Sequence, residues 1–179
     1  PVKESYEMAL AGDPTSAFGG VLITNKTIDL AAAEEIHKLF CEVLIAPDFD
    51  LDALELLKEK KNRVILKRKP VDLPKYVAKT ILNGVLWQDK DLEENAEHNS
   101  DVVTNRRPTT EELESMKFAH KVMPHTHSNS LVLANSTQLF ASGTVPTSRV
   151  DALKHSILNS EPFGFDFSTA VLSSYAFFP

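Results

Sequence analysis

Two adjacent glycines close a turn-forming stretch of the sequence and are candidates for contact with a ligand. Gly19 and Gly20 end the run GDPTSAFGG and lead directly into the apolar residues VLI. Such a pair either ends a turn or lets a phosphate approach backbone N–H groups. The spacing matches neither a dinucleotide fingerprint nor a P-loop, which needs a following Gly-Lys-Ser/Thr. The pattern alone favours a turn and leaves phosphate binding as the alternative.

Asn129 and Arg149 stand at the starts of two predicted elements. Asn129 precedes the apolar residues of HSNSLVLAN, and Arg149 falls in the first turn of a helix predicted in TSRVDALKHSIL, with Ser148 near its start. A cation in a first turn opposes the helix dipole, so simple solvent exposure is one interpretation. The other is that Arg149 adds to the anion affinity of the helix N-terminus.

The histidines and the cysteine give little sign of a metal site or a nucleophile. His125 and His127 would share one face of an extended segment, but the chain has one cysteine and no H-E-x-x-H motif. We therefore predict no metal, with the histidines at the surface or in a polar core. Cys41 is followed by Glu42, whose negative charge disfavours a thiolate, so we predict a buried structural thiol.

Composition narrows the classes of partner. The 179 residues carry a net charge of -6, which argues against nucleic acid as the main partner. The basic run 58–69 is interpreted as a strand flanked by solvated charges, with nucleic-acid binding as the alternative. No apolar run has membrane-spanning length and no signal-peptide pattern occurs, so a cytoplasmic location is expected. The chain starts without Met and ends on aromatic residues, and we expect both ends to be cuts in a longer protein.

Helices and strands alternate in the first part of the chain. Helices are predicted over residues 2–11, 30–40 and 51–60, and strands over 21–24, 42–47 and 63–67. Thr27 or Asp29 is the candidate cap of the second helix, and Asp50 that of the third. This order predicts a largely parallel sheet with helices packed on it.

A second lobe is predicted after an acidic loop over residues 89–101. Before the loop, residues 68–80 are expected to be irregular and residues 83–91 to form a strand. After it, Thr109 or Thr110 caps a helix over 108–123, and SLVLAN and TQLFAS form a hairpin with a turn at Asn135-Ser136. A helix and a final apolar segment follow. We predict an α/β protein with one lobe over residues 1–95 and another over 96–179.

Seven stretches, in order and in register, resemble one family over essentially the whole chain. They are DPTSAFGGVLI, EVLIAPDF, NGVLWQDKDL, VVTNRRPTTEE, HSNSLVLAN, TSRVDALK and the terminal AFFP. The family is the AICAR transformylase part of the bifunctional purine biosynthesis protein, whose other part is IMP cyclohydrolase. The resemblance implies that this chain is an internal part of such a protein and that the cyclohydrolase domain is absent from it.

The resemblance implies a fold and a reaction. The fold is a pair of α/β lobes, each partial here, that look like cytidine deaminase folds with sheets covered by helices. The reaction transfers a formyl group from the co-substrate 10-formyltetrahydrofolate to the 5-amino group of AICAR, aminoimidazole carboxamide ribonucleotide. A homodimer with the active site at its interface is also implied. No metal, nucleic acid or membrane partner is expected.

Four matched residues look like the part of the site that holds the nucleotide and its reacting amine. Phe18 and Gly19 resemble nucleotide-site residues, and Glu42 resembles the acidic residue that meets the imidazole carboxamide. Asn129 resembles the catalytic asparagine that helps to place the amine and carboxamide near the formyl group.

Four more matched residues look like substrate and folate contacts. Arg149 resembles a substrate-binding arginine, and Phe177 resembles an aromatic residue packed against the AICAR base. Val150 and Pro179 fall where the family contacts folate, the co-substrate.

Several positions depart from the family pattern. The family's catalytic Lys-His pair lies upstream of the stretch that matches DPTSAFGG, so we expect this chain to lack it and to be inactive alone. Val145 and Pro146 stand at a Gly-Gln position, Tyr175 at an aspartate and Asn135 at a lysine. Pro146 and Tyr175 motivate one alternative, a catalytically silent relative that binds a ribonucleotide or pairs with an active partner. An α/β domain with another ligand is the alternative if the motif match is misleading.

Overall fold

The computed structural model describes residues 1–72, 74–90, 101–144 and 147–174. The chain divides into two units, which we describe separately. The first unit comprises residues 1–70 and 160–164, and the second unit comprises residues 71–159 and 165–179. The lobe boundary predicted at residue 95 lies outside the described residues and stays a prediction.

The first unit is a parallel three-stranded sheet with helices between its strands. Its elements are α1 (Val2–Ala11), β1 (Gly20–Ile23), α2 (Leu30–Lys38), β2 (Cys41–Ala46), α3 (Leu51–Lys58) and β3 (Val64–Lys67). The strands pair in the order β1-β2-β3, and both pairs are parallel. The predicted alternation is confirmed, because a helix between two strands returns the chain in the same direction.

The helices α2 and α3 begin in different ways. Asp29 caps α2, since its carboxylate accepts a hydrogen bond from the Ala32 amide at 2.8 Å. Asp50 precedes α3 as predicted, but its side chain makes no capping hydrogen bond. Its backbone N–H donates to the Ile28 carbonyl at 3.0 Å instead, beside the bridge between Ile28 and Phe49. Backbone pairing therefore sets the start of α3.

One face of the parallel sheet carries the core of the first unit. Leu22, Leu44 and Ile65 lie side by side across the three strands. They pack with residues of α2 and α3. Cys41 belongs to this core with 3% exposure, so the predicted buried thiol is confirmed. The buried set is Ile28, Ala32, Ala33, Ile36, Cys41, Leu44, Ala46, Ala53 and Leu57.

The other face of the same sheet is apolar, exposed on its two outer strands and half-buried on the central one. Register places six aliphatic side chains on it in two rows, and the exposure of Val21 and Ile23 reaches 65% and 67%. Parallel sheets in proteins are almost always covered on both faces. We call this surface the open face; it consists of Val21, Ile23, Val43, Ile45, Val64 and Leu66.

A buried arginine joins the C-terminal ends of α2 and α3. Arg63 belongs to the basic run interpreted as solvated charges, and that prediction is wrong at this position because the residue is 7% exposed. Its guanidinium donates to the carbonyls of Leu57 at 3.3 Å and of Ile36 and Leu39 at 3.5 Å. The last carbonyls of a helix lack partners within it and carry partial negative charge, which a cation satisfies.

The second unit contains a hairpin, an antiparallel sheet and helices. Its elements are β4 (Tyr76–Ile81), β5 (Gly84–Asp89), α4 (Thr110–Val122), β6 (Leu131–Ala134), β7 (Leu139–Gly143), α5 (Arg149–Ser160) and β8 (Val171–Ser174). β4 pairs with β5, and β6 lies between β7 and β8, with every pair antiparallel. The helix α4 packs on β6 and β8 through a cluster that includes Ala119, Val132 and Val171.

The strand β4 corrects the prediction that residues 68–80 are irregular. Pro70 and Pro74 lie before Tyr76, and the strand begins only there. Its pairing with β5 supplies backbone hydrogen bonds and a stacked contact between Tyr76 and Trp87, with ring centroids 5.5 Å apart. Such cross-strand aromatic contacts stabilise a hairpin whose sequence alone is ambiguous. The lysines and prolines of this stretch are typical of irregular segments, and for this reason the strand was not predicted.

The helix α4 begins at a complete capping box. Thr109, and not Thr110, is the cap: its hydroxyl accepts from the Glu112 amide at 3.2 Å, and its N–H donates to Glu112 Oε2 at 2.7 Å. Arg106 donates to both oxygens of the same carboxylate at 2.9 and 2.7 Å. The Arg106 hydrogen bond, with help from the Thr109 N–H, lowers the pKa of Glu112 from 4.5 to about 2.

The hairpin predicted from SLVLAN and TQLFAS is confirmed. Asn135 builds its turn, because its side-chain oxygen accepts from the amides of Thr137 at 2.9 Å and Gln138 at 2.8 Å. Its own N–H donates to the Gln138 carbonyl at 3.0 Å. An asparagine that bonds to nearby backbone in this way favours a turn over a continued strand.

Candidate functional site

The stretch GDPTSAFGG folds as a hydrogen-bonded turn, which confirms that part of the prediction. The carboxylate of Asp13 accepts from the Ser16 amide at 2.9 Å, and the Gly20 amide donates to the Ala17 carbonyl at 3.2 Å. The Ser16 hydrogen bond holds the pKa of Asp13 below its usual value. These hydrogen bonds thus fix the backbone conformation of the residues that lead into β1.

Phe18, Gly19 and Glu42 come together beside this turn, and we call them the Gly19 group. Gly19 has a φ of 74°, and its N–H donates to the Phe40 carbonyl at 2.8 Å. A Cβ on Gly19 would lie 3.8 Å from Oε1 of Glu42. The rings of Phe18 and Phe40 are 5.7 Å apart, centroid to centroid. Three residues that the resemblance assigns to the nucleotide therefore share one place.

The Gly19 group offers an aromatic ring and a carboxylate to solvent. Phe18 is 71% exposed, and Glu42 is exposed at the second position of β2. A positive φ suits glycine, since a side chain in that conformation meets the following carbonyl. An exposed ring stacks on a planar heterocycle, and a carboxylate accepts hydrogen bonds from amide or amine N–H groups.

Asn129, Arg149 and Val150 form a second cluster, the Asn129 group, in the second unit. Asn129 lies two residues before β6, and its Nδ2 donates to the Thr147 carbonyl at 3.0 Å. Arg149 is the first residue of α5, as predicted, and Val150 follows it with 53% exposure. The Asn129 hydrogen bond therefore connects the start of β6 to the chain entering α5.

The start of α5 is capped by Ser148. Its hydroxyl accepts from the Asp151 amide at 3.1 Å and lies 2.7 Å from the Asp151 carboxylate. The Ser148 carbonyl accepts from the Ala152 amide at 3.0 Å. These bonds form the first turn, so that the backbone of Arg149 and Val150 is held in helical geometry.

A polar cluster under the sheet fixes the other side of the Asn129 group. Ser130 follows Asn129 and is fully buried. Its hydroxyl lies 2.8 Å from the hydroxyl of Thr126, which also donates to the Met123 carbonyl at 2.7 Å. A buried hydroxyl needs such a partner, and here the partner anchors the backbone next to Asn129.

Some predicted positions lie outside the described residues. They are Phe177 and Pro179 of the predicted site, with Val145, Pro146 and Tyr175 among the departures from the family. The described part of β8 ends at Ser174, which pairs with Leu131 two residues after Asn129.

The histidines form no metal cluster in the described ranges. No set of three or more His, Cys, Asp or Glu side chains is arranged to hold a metal ion there. An adjacent Lys154-His155 pair does occur, but it lies exposed on α5 and not upstream of the Gly19 group. It therefore does not stand where the resemblance would place a catalytic pair.

Two cavities contain none of the predicted site residues. One, of about 610 Å³, lies in the first unit between α1 and β1 and is lined by Tyr6, Leu22 and Ile28 among others. The other, of about 580 Å³, lies in the second unit beside α4 and is lined by Val102 and Met116 among others.

Sequence reasoning missed the residues that support the Asn129 group. Gly143 ends β7, and a Cβ there would overlap the backbone of Ala152 in α5. The Thr147 carbonyl that orients Asn129 has no sequence signature. A lone glycine at the end of the strand pattern TQLFASG was the available signal, since it marks a close backbone approach.

By fold, this chain is an α/β protein, and each group presents side chains of the kind that bind polar heterocyclic ligands. A family model described as AICARFT/IMPCHase bienzyme matches residues 1–159, and the chain belongs to this family of bifunctional purine biosynthesis enzymes. No helix in the described residues is long and apolar enough to cross a membrane.

Relatives named bifunctional purine biosynthesis protein PurH match nearly all of this chain. The protein of Bacteroides thetaiotaomicron is 56% identical over 178 residues, which are 99% of this chain and 35% of that protein. Those of Aquifex aeolicus and Persephonella marina are 42% and 40% identical over 180 and 182 residues, again 99% of this chain and 35% of the relative. The chain thus spans about a third of the length of these relatives.

Proposed function

We propose that this chain takes part in formyl transfer from 10-formyltetrahydrofolate to AICAR, within a bifunctional purine biosynthesis enzyme of the cytoplasm. The observation that carries the proposal is the 56% identity to a PurH protein across 178 residues. The grouping of Phe18 with Gly19 and Glu42, and of Asn129 with Arg149, supports it. Within each group, residues that are distant in sequence lie close together.

The reaction joins the 5-amino nitrogen of AICAR to the formyl carbon. The ring and the carboxamide withdraw the lone pair of that amine, so it is a weak nucleophile. Its attack forms a carbon–nitrogen bond and a tetrahedral oxyanion. The bond from that carbon to the folate nitrogen then breaks, and the proton lost by the amine ends on the folate nitrogen. Such a step needs orientation, a base and stabilisation of the oxyanion.

In this proposal Asn129 orients the reacting amine and carboxamide. Thr147 offers a carbonyl, which accepts only from a donor, so Nδ2 of Asn129 faces it at 3.0 Å. This hydrogen bond fixes the plane of the amide and the direction of its oxygen. Because this hydrogen bond already restricts the Asn129 side chain, little rotational freedom is lost when the substrate binds.

The remaining residues bind the two substrates in this proposal. Glu42 accepts hydrogen bonds from the imidazole carboxamide, and Phe18 lines the nucleotide beside the open Gly19 position. Arg149 attracts the anionic nucleotide at the start of α5, where helix N–H groups add to the attraction. Val150 contacts folate. Phe177 against the base and Pro179 against folate complete the assignment by motif.

A homodimer is part of the proposal. The open face of the first unit and the exposed side chains of the β4–β5 hairpin, Trp87 at 67% among them, support it as apolar area that association would bury. Sedimentation of the full-length protein tests it. A species of twice the monomer mass is expected, and a monomer at every concentration would contradict this part.

The reaction is tested on the full-length protein that carries this sequence. Consumption of 10-formyltetrahydrofolate in the presence of AICAR is followed for the wild type and for Glu42→Gln and Arg149→Ala. Both variants are expected to raise KM for AICAR. Glu55→Gln and Lys58→Ala, at exposed positions of α3, are the charge-matched controls and should leave it unchanged. A wild type without turnover would refute the proposed reaction.

A catalytically silent relative is the second candidate, favoured by Pro146 and Tyr175 in the sequence. Thermal unfolding with and without AICAR separates it from the enzyme. An AICAR-dependent rise in Tm without turnover supports the silent relative. The 179-residue chain assayed alone is expected to show no turnover, because the proposal places a catalytic pair outside this chain. Turnover by the chain alone would contradict that placement.

A further inference from the structure

Gly143 lies where β7 meets the first turn of α5. A Cβ built on Gly143 would overlap the carbonyl oxygen of Ala152 and lie 2.8 Å from its carbonyl carbon. Both residues are buried, and Ala152 is 0% exposed. The obstacle is backbone and not the end of a flexible side chain, so strand and helix could not both keep their places.

The turn of α5 that rests on Gly143 carries Arg149 and Val150. The Ala152 amide donates to the Ser148 carbonyl at 3.0 Å and closes that turn. The cap bond from the Asp151 amide to the Ser148 hydroxyl, at 3.1 Å, adds a second tie. A displacement of Ala152 therefore moves Arg149 with it.

Gly143 also pairs with the strand β6, which begins two residues after Asn129. Gly143 and Leu131 are cross-strand partners, and Asn129 precedes Leu131 by two residues. The Asn129 amide spans from this strand to the Thr147 carbonyl at 3.0 Å, just before α5. The contact at Gly143 and this hydrogen bond thus join the same two elements.

We propose that Gly143 is a positioning residue for formyl transfer, because its missing side chain sets the separation between Asn129 and the first turn of α5. The inference rests on the proposed function. A side chain at this position pushes α5 outward by about 1 Å, which stretches the Asn129–Thr147 hydrogen bond and withdraws Arg149. Misplacement of that size costs on the order of 100-fold in enzymes.

The test compares Gly143→Ala with Gly84→Ala in the full-length protein. Gly84 also lies in a strand, but the nearest atom to its added Cβ is 3.8 Å away, an ordinary contact. Gly143→Ala is expected to raise KM for AICAR about tenfold or more, with a smaller change in kcat, while Gly84→Ala changes neither. In an Arg149→Ala background, Gly143→Ala should raise KM for AICAR by less than it does in the wild type, because the part of its effect that acts through Arg149 is already lost. An unchanged KM, or full additivity, overturns the inference.

Ser148→Ala covers the case in which Gly143→Ala fails to fold. It removes the cap of α5 without adding volume, and it should raise KM for AICAR in the same direction. A folded Ser148→Ala protein with a wild-type KM would overturn the inference.

Hydrogen exchange separates this inference from the proposed function. Even if the wild type shows no formyl transfer, Gly143→Ala should speed exchange at the amides of Asp151 and Ala152 by about tenfold, and Gly84→Ala should not. Unchanged exchange at those amides overturns the positioning role by itself, whatever the reaction.

Discussion

The two groups of candidate residues are held in place by different means. In the first unit, the Gly19 group depends on backbone conformation: a left-handed glycine, a hydrogen bond from the Gly19 N–H to the Phe40 carbonyl and the start of a parallel strand. In the second unit, the Asn129 group depends on side chains: the Asn129 amide, the Ser148 cap and the buried hydroxyls of Thr126 and Ser130.

The difference predicts how each group responds to substitution. Backbone conformation is lost only when a residue cannot adopt it, so the Gly19 group should tolerate most changes around it. A hydrogen bond made by a side chain is lost when its one polar atom is removed, and the segment that this bond held in place is then free to move. The Asn129 group should therefore fail at single atoms.

The largest effect is expected from Asn129→Ala, which tests the dependence of the second unit on side chains. Without the amide that the Thr147 hydrogen bond holds in place, the reacting groups are misplaced, and kcat of the full-length protein should fall on the order of 100-fold. Asn105→Ala, at an exposed loop position, is the control and should match the wild type. A wild-type kcat in Asn129→Ala would contradict the inference that the second group depends on single side chains.

A smaller effect is expected from Arg63→Met, which challenges the idea that the first unit is fixed by backbone alone. Methionine keeps most of the stem but leaves the carbonyls of Ile36, Leu39 and Leu57 without the guanidinium. The free energy of unfolding should fall by roughly 2 kcal/mol, measured by urea denaturation. Lys61→Met, at an exposed position, should change it by less than about 0.5 kcal/mol.

Gly19→Ala and Gly164→Ala form a matched pair that sharpens the role of the left-handed glycine. Their φ angles are 74° and 73°, but only Gly19 has a functional neighbour, Glu42. Each change should cost about 1 to 2 kcal/mol of stability, seen as a lower Tm. Only Gly19→Ala should also raise KM for AICAR. An equal rise in KM in both variants would show that the rise comes from lost stability and not from the neighbouring Glu42.

The smallest effect concerns pH and the α4 cap in the second unit. Glu112 has a pKa of about 2 in the folded chain against its usual 4.5, so its contribution to stability is complete above 4.5 and is lost as pH falls towards 2. Glu112→Gln should make the Tm of the chain less dependent on pH between 4.5 and about 2. Glu111→Gln, whose carboxylate is not bound by Arg106 in the structure, should keep the wild-type slope.

Local patterns in the sequence were enough for most of the fold. The parallel sheet followed from strand–helix alternation and the β6–β7 turn from Asn135, while the sequence offered Thr27 or Asp29 as the cap of α2 and the structure has Asp29. Each of these depends on neighbours within a few positions. The strand β4 was missed because its stability comes from pairing with β5, including the Tyr76–Trp87 contact across the hairpin.

Motif resemblance selected the candidate residues, which stay a prediction, but the contacts that hold them were not predicted from the sequence. Motif resemblance selected Gly19 and Glu42 before their proximity was known. Arg63, Gly143 and the Thr147 carbonyl act through contacts 18 or more positions apart or through packing of backbone on backbone, which leaves no local pattern. A buried cation in a basic run looks the same in sequence as a solvated one.

The open face has a practical consequence for handling the chain as an isolated polypeptide. Six aliphatic side chains form a flat hydrocarbon surface, and excluded salts such as sulfate strengthen the attraction between such surfaces. Static light scattering should show attractive pair interactions that grow with sulfate, and Ile23→Lys should weaken them by placing a charge on the face. Solutions of this chain should therefore be stored at low protein concentration and at low concentrations of sulfate and similar salts.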